Sequence, residues 1–133
     1  MIQTIQAAWA RYLTGREIDG VAFVDELLAL GTSGHSLTGR ALSPSEVVFT
    51  VGAESGVVTG DQVKGNFRSV CARLAVVFSP DPLNPVNLYG ARARKRFEHA
   101  GREVELELEF ENKPGESWFR ILVPNDASSK SKS

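Results

Sequence analysis

Apolar and charged residues alternate most strictly between Leu88 and Val123, LYGARARKRFEHAGREVELELEFENKPGESWFRILV, and this stretch predicts three successive strands. From Glu103 to Glu111 every odd position is glutamate, while the even positions are Val104, Leu106, Leu108 and Phe110. A period of two with one charged and one apolar side is the pattern of a half-buried strand. The run before it carries Arg92, Arg94 and Arg96 on one parity and Tyr89, Ala91, Ala93 and Phe97 on the other. A tight turn at Ala100-Gly101 closes the two runs into a hairpin. Arg96 then meets Glu105, Arg94 meets Glu107, Arg92 meets Glu109, and Phe97 meets Val104 on the opposite side. Opposed charges contribute roughly 0.2–1 kcal/mol per pair, and a slip of one residue would turn the glutamates into the core. The ladder therefore specifies register more than it adds stability.

Lys113-Pro114-Gly115-Glu116 has the residues of a type II turn and leads into a third strand, Ser117 to Val123. Phe110 opposite Phe119 sets Ile121 against Leu108, Val123 against Leu106 and Arg120 beside Glu109. The product is a three-stranded meander with one apolar side.

Upstream the period lengthens. Ile2, Ile5, Trp9, Tyr12 and Leu13 recur at helical spacing before Gly15, a C-cap residue. Asp19 is placed to cap a second helix, Gly20 to Leu30, whose apolar arc leaves Asp25 and Glu26 for water and which Gly31 stops. Gly31 to Ser45 is rich in Gly, Ser and Thr and reads as a surface loop, with Ser36 to Leu42 as a short edge strand. Glu46 to Val51 reads as a buried strand ended by Gly52, and Val57 to Thr59 as a short return. Asp61 to Phe78 fits both periods. Its length favours a helix capped by Thr59 or Asp61, and Gly65-Asn66 inside it counts against one. Ser79 to Asn87, with three prolines, is a connection, and Asp126 to Ser133 is a polar tail expected to be disordered.

These elements predict an α+β domain over residues 1–125: two helices, one or two short strands, a third helix, and the meander, with helices on the Leu106/Leu108/Phe110/Ile121 side of an antiparallel sheet. That order resembles the cone-shaped fold of nuclear transport factor and ketosteroid isomerase relatives. The resemblance implies a curved sheet wrapped on a long helix. It rests on element order and no motif, so it carries over no catalytic residue.

Composition narrows the function classes. At 133 residues the chain can bury a core without disulfides or metal, and its formal net charge of −1 asks for no polyanionic partner. No apolar run approaches the ~18–20 residues that span a bilayer, and MIQTIQAAWARY lacks a basic segment followed by an unbroken apolar one, so a cytoplasmic protein without membrane contact is expected. The single cysteine, Cys71, excludes an internal disulfide and a Cys-based zinc site and is expected to be buried. His35 and His99 fall in predicted loops or turns, away from it. No metal or cofactor is expected. Gly34 to Ala41 has the glycine spacing of a phosphate loop, but Arg40 and Ala41 stand where Lys and Ser/Thr are required, and it follows a helix. Gly52-Ala53-Glu54-Ser55-Gly56 has Glu54 where a nucleophile elbow has its serine.

Three functional readings follow. Trp118 and Leu122 point to the charged side of the meander, which a monomer would expose; tryptophan there is either an interface anchor or covered by a loop or by the proline-rich connection. With Arg92, Arg94, Arg96, Glu105, Glu107 and Glu109 they form the favoured site: a non-enzymatic protein–protein interaction surface of an inhibitor, accessory or assembly factor of bacterial or phage type, with a protein partner or a second copy in a homodimer. A small-molecule pocket between sheet and helices, drawing on Trp9, Tyr12 and Lys95 and supporting an isomerase or hydrolase-like activity, is the alternative. Lys95 invites it because its parity puts an amine on the apolar side opposite Leu106, where it must reach water or find a partner. Nucleic-acid binding through the arginine strand is the third. From Leu88 to Glu111 the five bases (Arg92, Arg94, Lys95, Arg96, Arg102) meet six glutamates (Glu98, Glu103, Glu105, Glu107, Glu109, Glu111), which cancels the patch that phosphate binding needs.

Overall fold

The arginine and glutamate runs pair as their alternation requires. In the computed structural model, which describes residues 2–14, 20–79, 90–99 and 101–124, Gly90–His99 and Arg102–Lys113 form an antiparallel hairpin with Arg92 opposite Glu109, Arg94 opposite Glu107, Arg96 opposite Glu105 and Phe97 opposite Val104. Gly101, at φ 79°, takes the left-handed turn conformation that glycine adopts without steric cost. The next strand, Glu116–Leu122, sets Phe119 against Phe110, Ile121 against Leu108 and Arg120 against Glu109. Two details differ from expectation. Gly115 does not take the positive φ of a type II turn, whose twist opposes that of the strands it joins. The strand also stops at Leu122, leaving Val123 exposed rather than paired with Leu106.

In chain order the elements are α1 (Ile2–Leu13), α2 (Gly20–Thr32), β1 (Leu37–Ser43), β2 (Glu46–Val51), β3 (Glu54–Thr59), α3 (Val63–Val77), β4 (Gly90–His99), β5 (Arg102–Lys113) and β6 (Glu116–Leu122). Among the described residues this is an α+β architecture with three helices and one six-stranded antiparallel sheet, ordered β3-β2-β1-β6-β5-β4. Two meanders join where β1 pairs with β6. Three strands, not one or two, therefore precede α3. The segment expected as a loop with a short edge strand is an interior strand, because β1 is paired on both sides. His99 closes β4 instead of lying in a turn. Asp19, Gly15, the proline-rich connection and the polar tail lie outside the described residues.

All three helices pack on one side of the sheet. There α1 meets β3, α3 crosses β1, β2, β5 and β6, and α2 meets β4 and β5. Gly31 does not stop α2. It lies within the last turn, where an added Cβ would sit 3.2 Å from a Leu106 methyl, so the missing side chain lets the helix approach the sheet. The chain leaves the helical path at Gly34, φ 104°. The Asp61–Phe78 ambiguity resolves as helix α3, whose N-cap is Gln62 without a side-chain cap bond, rather than Thr59 or Asp61. Asn66, the residue that argued against a helix, donates from Nδ2 to the carbonyls of Leu13 at 2.9 Å and Tyr12 at 3.4 Å. It satisfies the carbonyl end of α1, a tertiary role that offsets its poor helix propensity.

The core centres on one row of the inner sheet face. Phe49, Gly39 and Phe119 are adjacent across β2, β1 and β6. Over the gap left by Gly39 lie Trp9, stacked on Phe49 (ring centroids 4.6 Å apart) and Phe119 (5.9 Å), and Phe67, stacked on Phe119 (5.7 Å). A Cβ on Gly39 would come within 2.9 Å of both Phe119 and Phe67, so this glycine serves close packing, not a phosphate. Cys71 is buried in the same core, and burial pushes its thiol pKa up to about 12 against the weaker opposing pull of Arg68. Little thiolate then exists near neutral pH. Ellman's reagent at pH 8 is expected to leave the native protein essentially unmodified and to titrate one thiol per chain once it is denatured. Rapid native labelling would mean that α3 opens easily.

Candidate interaction face

With the helices on one side, alternation delivers the other parity of each strand to the opposite face, which no helix among the described residues covers. The registers place Val57, Val48, Arg40, Trp118 and Glu111 in one row across β3, β2, β1, β6 and β5. The row beside it runs Ser55, Thr50, Thr38, Arg120, Glu109 and Arg92. Trp118 is half-buried near the middle of this face. Its indole N–H donates to Glu111 Oε1 at 3.2 Å, and the Arg40 guanidinium lies 5.6 Å from its ring centroid. Arg40 also bridges Glu116 at 3.2 Å. The indole hydrogen bond is the main cause holding the Glu111 carboxyl below its ordinary range; partial desolvation opposes it, and Lys113 adds to it.

The charged ladder is more connected than simple cross-strand pairing predicts. Arg92 reaches Glu107 at 3.2 Å as well as its partner Glu109 at 3.7 Å, and Arg94 reaches Glu105 at 3.9 Å as well as Glu107 at 3.2 Å. Arg96 contacts Glu103 at 3.6 Å, and Arg120 pairs with Glu109 from the other side. Each β4 arginine thus leans diagonally toward the glutamate two positions before its partner, as the right-handed twist of the hairpin directs. Exposed pairs of this kind contribute little stability, ~0–1 kcal/mol, but they leave no concentrated positive stripe.

Arg40, Thr38, Val48, Glu109, Trp118 and Arg120 rim a shallow depression of about 490 Å³ on this face. Exposed apolar side chains lie close by: Val57 is 42% exposed on β3, and Leu42, two residues beyond Arg40, is 55% exposed. Leu122, opposite Glu107, is half-buried on the same face, and the sequence pattern singled it out together with Trp118 and the charged ladder of the meander. It missed Arg40, Val48 and Val57. Their own periodicity could not reveal them, because only the pairing of β1 with β6 carries them onto the same row of the sheet as Trp118.

The residues considered for a pocket lie elsewhere. Trp9 is 1% exposed within the aromatic stack, where its indole N–H has no partner among the described residues, and Tyr12 stacks on Phe23 at 5.3 Å. Lys95 does lie on the apolar parity, and its amine donates to the carbonyls of Val77 at 3.0 Å and Ser79 at 3.4 Å. A cation on the last carbonyls of α3 is favourable both as a hydrogen-bond donor and against the helix dipole. That contact accounts for an amine on a core-facing position. A further polar cluster was not anticipated. Asn112 receives Arg68 Nε at 3.1 Å and returns a bond to the Arg68 carbonyl at 3.1 Å, while Ser117, fully buried, donates to the Lys113 carbonyl at 3.1 Å. Among the described residues no group of His, Cys, Asp and Glu could hold a metal ion, and no helix is long and apolar enough to cross a membrane.

The chain matches no protein-family model, and no curated protein sequence matches it. The class that fold and site define is an α+β protein with one helix-covered sheet face and one that is open among the described residues, the latter bearing a tryptophan between an arginine and a glutamate.

Proposed function

We propose that this chain is a non-enzymatic protein–protein interaction module and that the open face of the sheet is its binding surface. One observation carries the reading: Trp118, an amphipathic side chain of the kind that anchors interfaces, sits half-buried on the sheet face opposite the described helices, in one row with Arg40, Val48 and the exposed Val57. Arg40 and Glu111 hold the indole in place in the free protein, which lowers the entropy lost on binding. The charged ladder around it mixes both signs, as the polar rim of an interface does.

The likeness in element order to nuclear transport factor and ketosteroid isomerase relatives would favour a ligand pocket between sheet and long helix. The aromatic stack over Gly39 argues against such a pocket at the centre of the sheet, since that space does not admit even a methyl group. For nucleic acid, the ion pairs of β4 with β5 weigh against a free phosphate-binding stripe.

Wild-type chain and Trp118→Ala, immobilised in parallel, should differ in what they capture from an extract of the native host. A specific protein depleted about tenfold or more by the substitution is the expected result for an anchor residue. Equal capture by both, or capture only of nucleic acid that salt elutes, would overturn the reading.

A further inference from the structure

We infer that the partner of the open face is a second copy of this chain, related by a two-fold axis along the seam between β1 and β6, with Trp118 of each copy against Arg40 of the other. The inference rests on the interaction-face reading and commits it to one occupant. β1 and β6 are the two middle strands of the six. Rotation about an axis along their seam lays β6 on β1, β5 on β2 and β4 on β3 of the second copy, with the sheets ~10 Å apart as in other face-to-face packings.

The strand registers then decide which side chains meet. Arg40 and Trp118 pair directly across the seam, so each indole falls on the other copy's guanidinium, a contact chemistry the single chain already uses at 5.6 Å. In the adjoining row Arg120 falls on Thr38, Glu109 on Thr50 and Arg92 on Ser55. Glu111 falls on Val48, and one row further along the strands Lys113 falls on Glu46. In these rows no acid meets an acid and no base meets a base. A two-fold across the strands would instead stack the glutamate column of β5 on itself, so charge selects the axis. An isologous contact also counts each favourable pair twice.

The area is sufficient. Six strands at ~4.8 Å spacing and ~3.3 Å rise per residue, over strands of six to seven residues, give a face of roughly 600 Å² in projection. Its corrugated accessible surface approaches the ~800 Å² per partner of a standard interface.

The pair Glu46–Lys113 supplies a test with little confounding from contacts inside one chain. Within a chain the two residues lie on β2 and β5, three strand spacings or ~14 Å apart, and Lys113 pairs instead with Glu111. Sedimentation velocity from micromolar to submillimolar protein should show a monomer–dimer equilibrium for the wild type. Glu46→Lys should weaken the dimer roughly tenfold by opposing two lysines at symmetric positions. Adding Lys113→Glu in the same chain should restore it, and Trp118→Ala should weaken it ~100-fold. Far-UV circular dichroism confirms that each variant is folded. A wild type that stays monomeric throughout, a dimer indifferent to Trp118→Ala, or a double variant no tighter than Glu46→Lys would each overturn the inference. Monomeric wild type together with Trp118-dependent capture of another protein would overturn self-association while sustaining the interaction-face reading.

Discussion

Phe119→Ala is expected to lower the free energy of unfolding by about 3–5 kcal/mol, whereas Trp118→Ala, one residue earlier on the same strand, should change it by no more than about 1 kcal/mol. The contrast follows from strand parity. Phe119 is 1% exposed and stacks on both Trp9 and Phe67 over the space left by Gly39. Rigid rings on either side cannot collapse into the hole that alanine would leave, so the cavity term adds to the lost transfer free energy. A domain of this size has only ~5–15 kcal/mol in total, and such a loss moves it close to its unfolding threshold. Trp118 is half-buried on the opposite face and held by one hydrogen bond and one cation–π contact, both partly open to water. Urea titrations followed by far-UV circular dichroism measure both values. Comparable losses for the two substitutions would mean that the two sheet faces are not divided into core and surface as described.

The second large effect is expected at Asn112. Replacing it by alanine removes the acceptor of Arg68 Nε and the donor to the Arg68 carbonyl, and takes a partner from buried Ser117. An orphaned buried polar group costs roughly 1–3 kcal/mol, and the total here is expected near 2–3 kcal/mol because Arg68 can swing partly toward solvent. For a chain of this length that corresponds to a fall of roughly 10 °C in Tm. Glu111→Ala, the neighbouring residue on the outer face, is the control and should shift Tm by only a degree or two. If scanning calorimetry found the two alike, the link between α3 and the β5–β6 turn would carry no stability.

Much of the second meander was legible without coordinates. A slip of one residue between the glutamate and arginine runs would bury charge and the turn at Gly101 sets where they fold back, so Arg92, Arg94, Arg96 and Phe97 meet the residues that parity and turn together demand. Position 112 marks where that reading ended. Asn112 occupies the apolar parity, yet nothing in the local pattern says that Arg68, far away on α3, would satisfy it. The same holds for Asn66 and Lys95. Each looks unfavourable within its own element, and each is accounted for by a carbonyl end of a different helix. Local propensity treats such residues as faults, and only packing turns them into ties between elements.

Gly39 shows the other limit. Its spacing from Gly34 suggested a loop; its space was filled by Trp9 and Phe67 from two separate helices. Periodicity is a property of neighbours along the chain. It established the strands β4 to β6, their register and which of their sides is buried, because those pairings are local hairpins in which charge and apolar parity agree. The antiparallel contact of β1 with β6 joins residues about eighty positions apart, so no turn or alternating run encodes it, and the closure of a long loop must be repaid by the core as a whole. That contact alone made β1 an interior strand, widened the sheet to six strands and brought Arg40 and Val48 onto the same row of the sheet as Trp118.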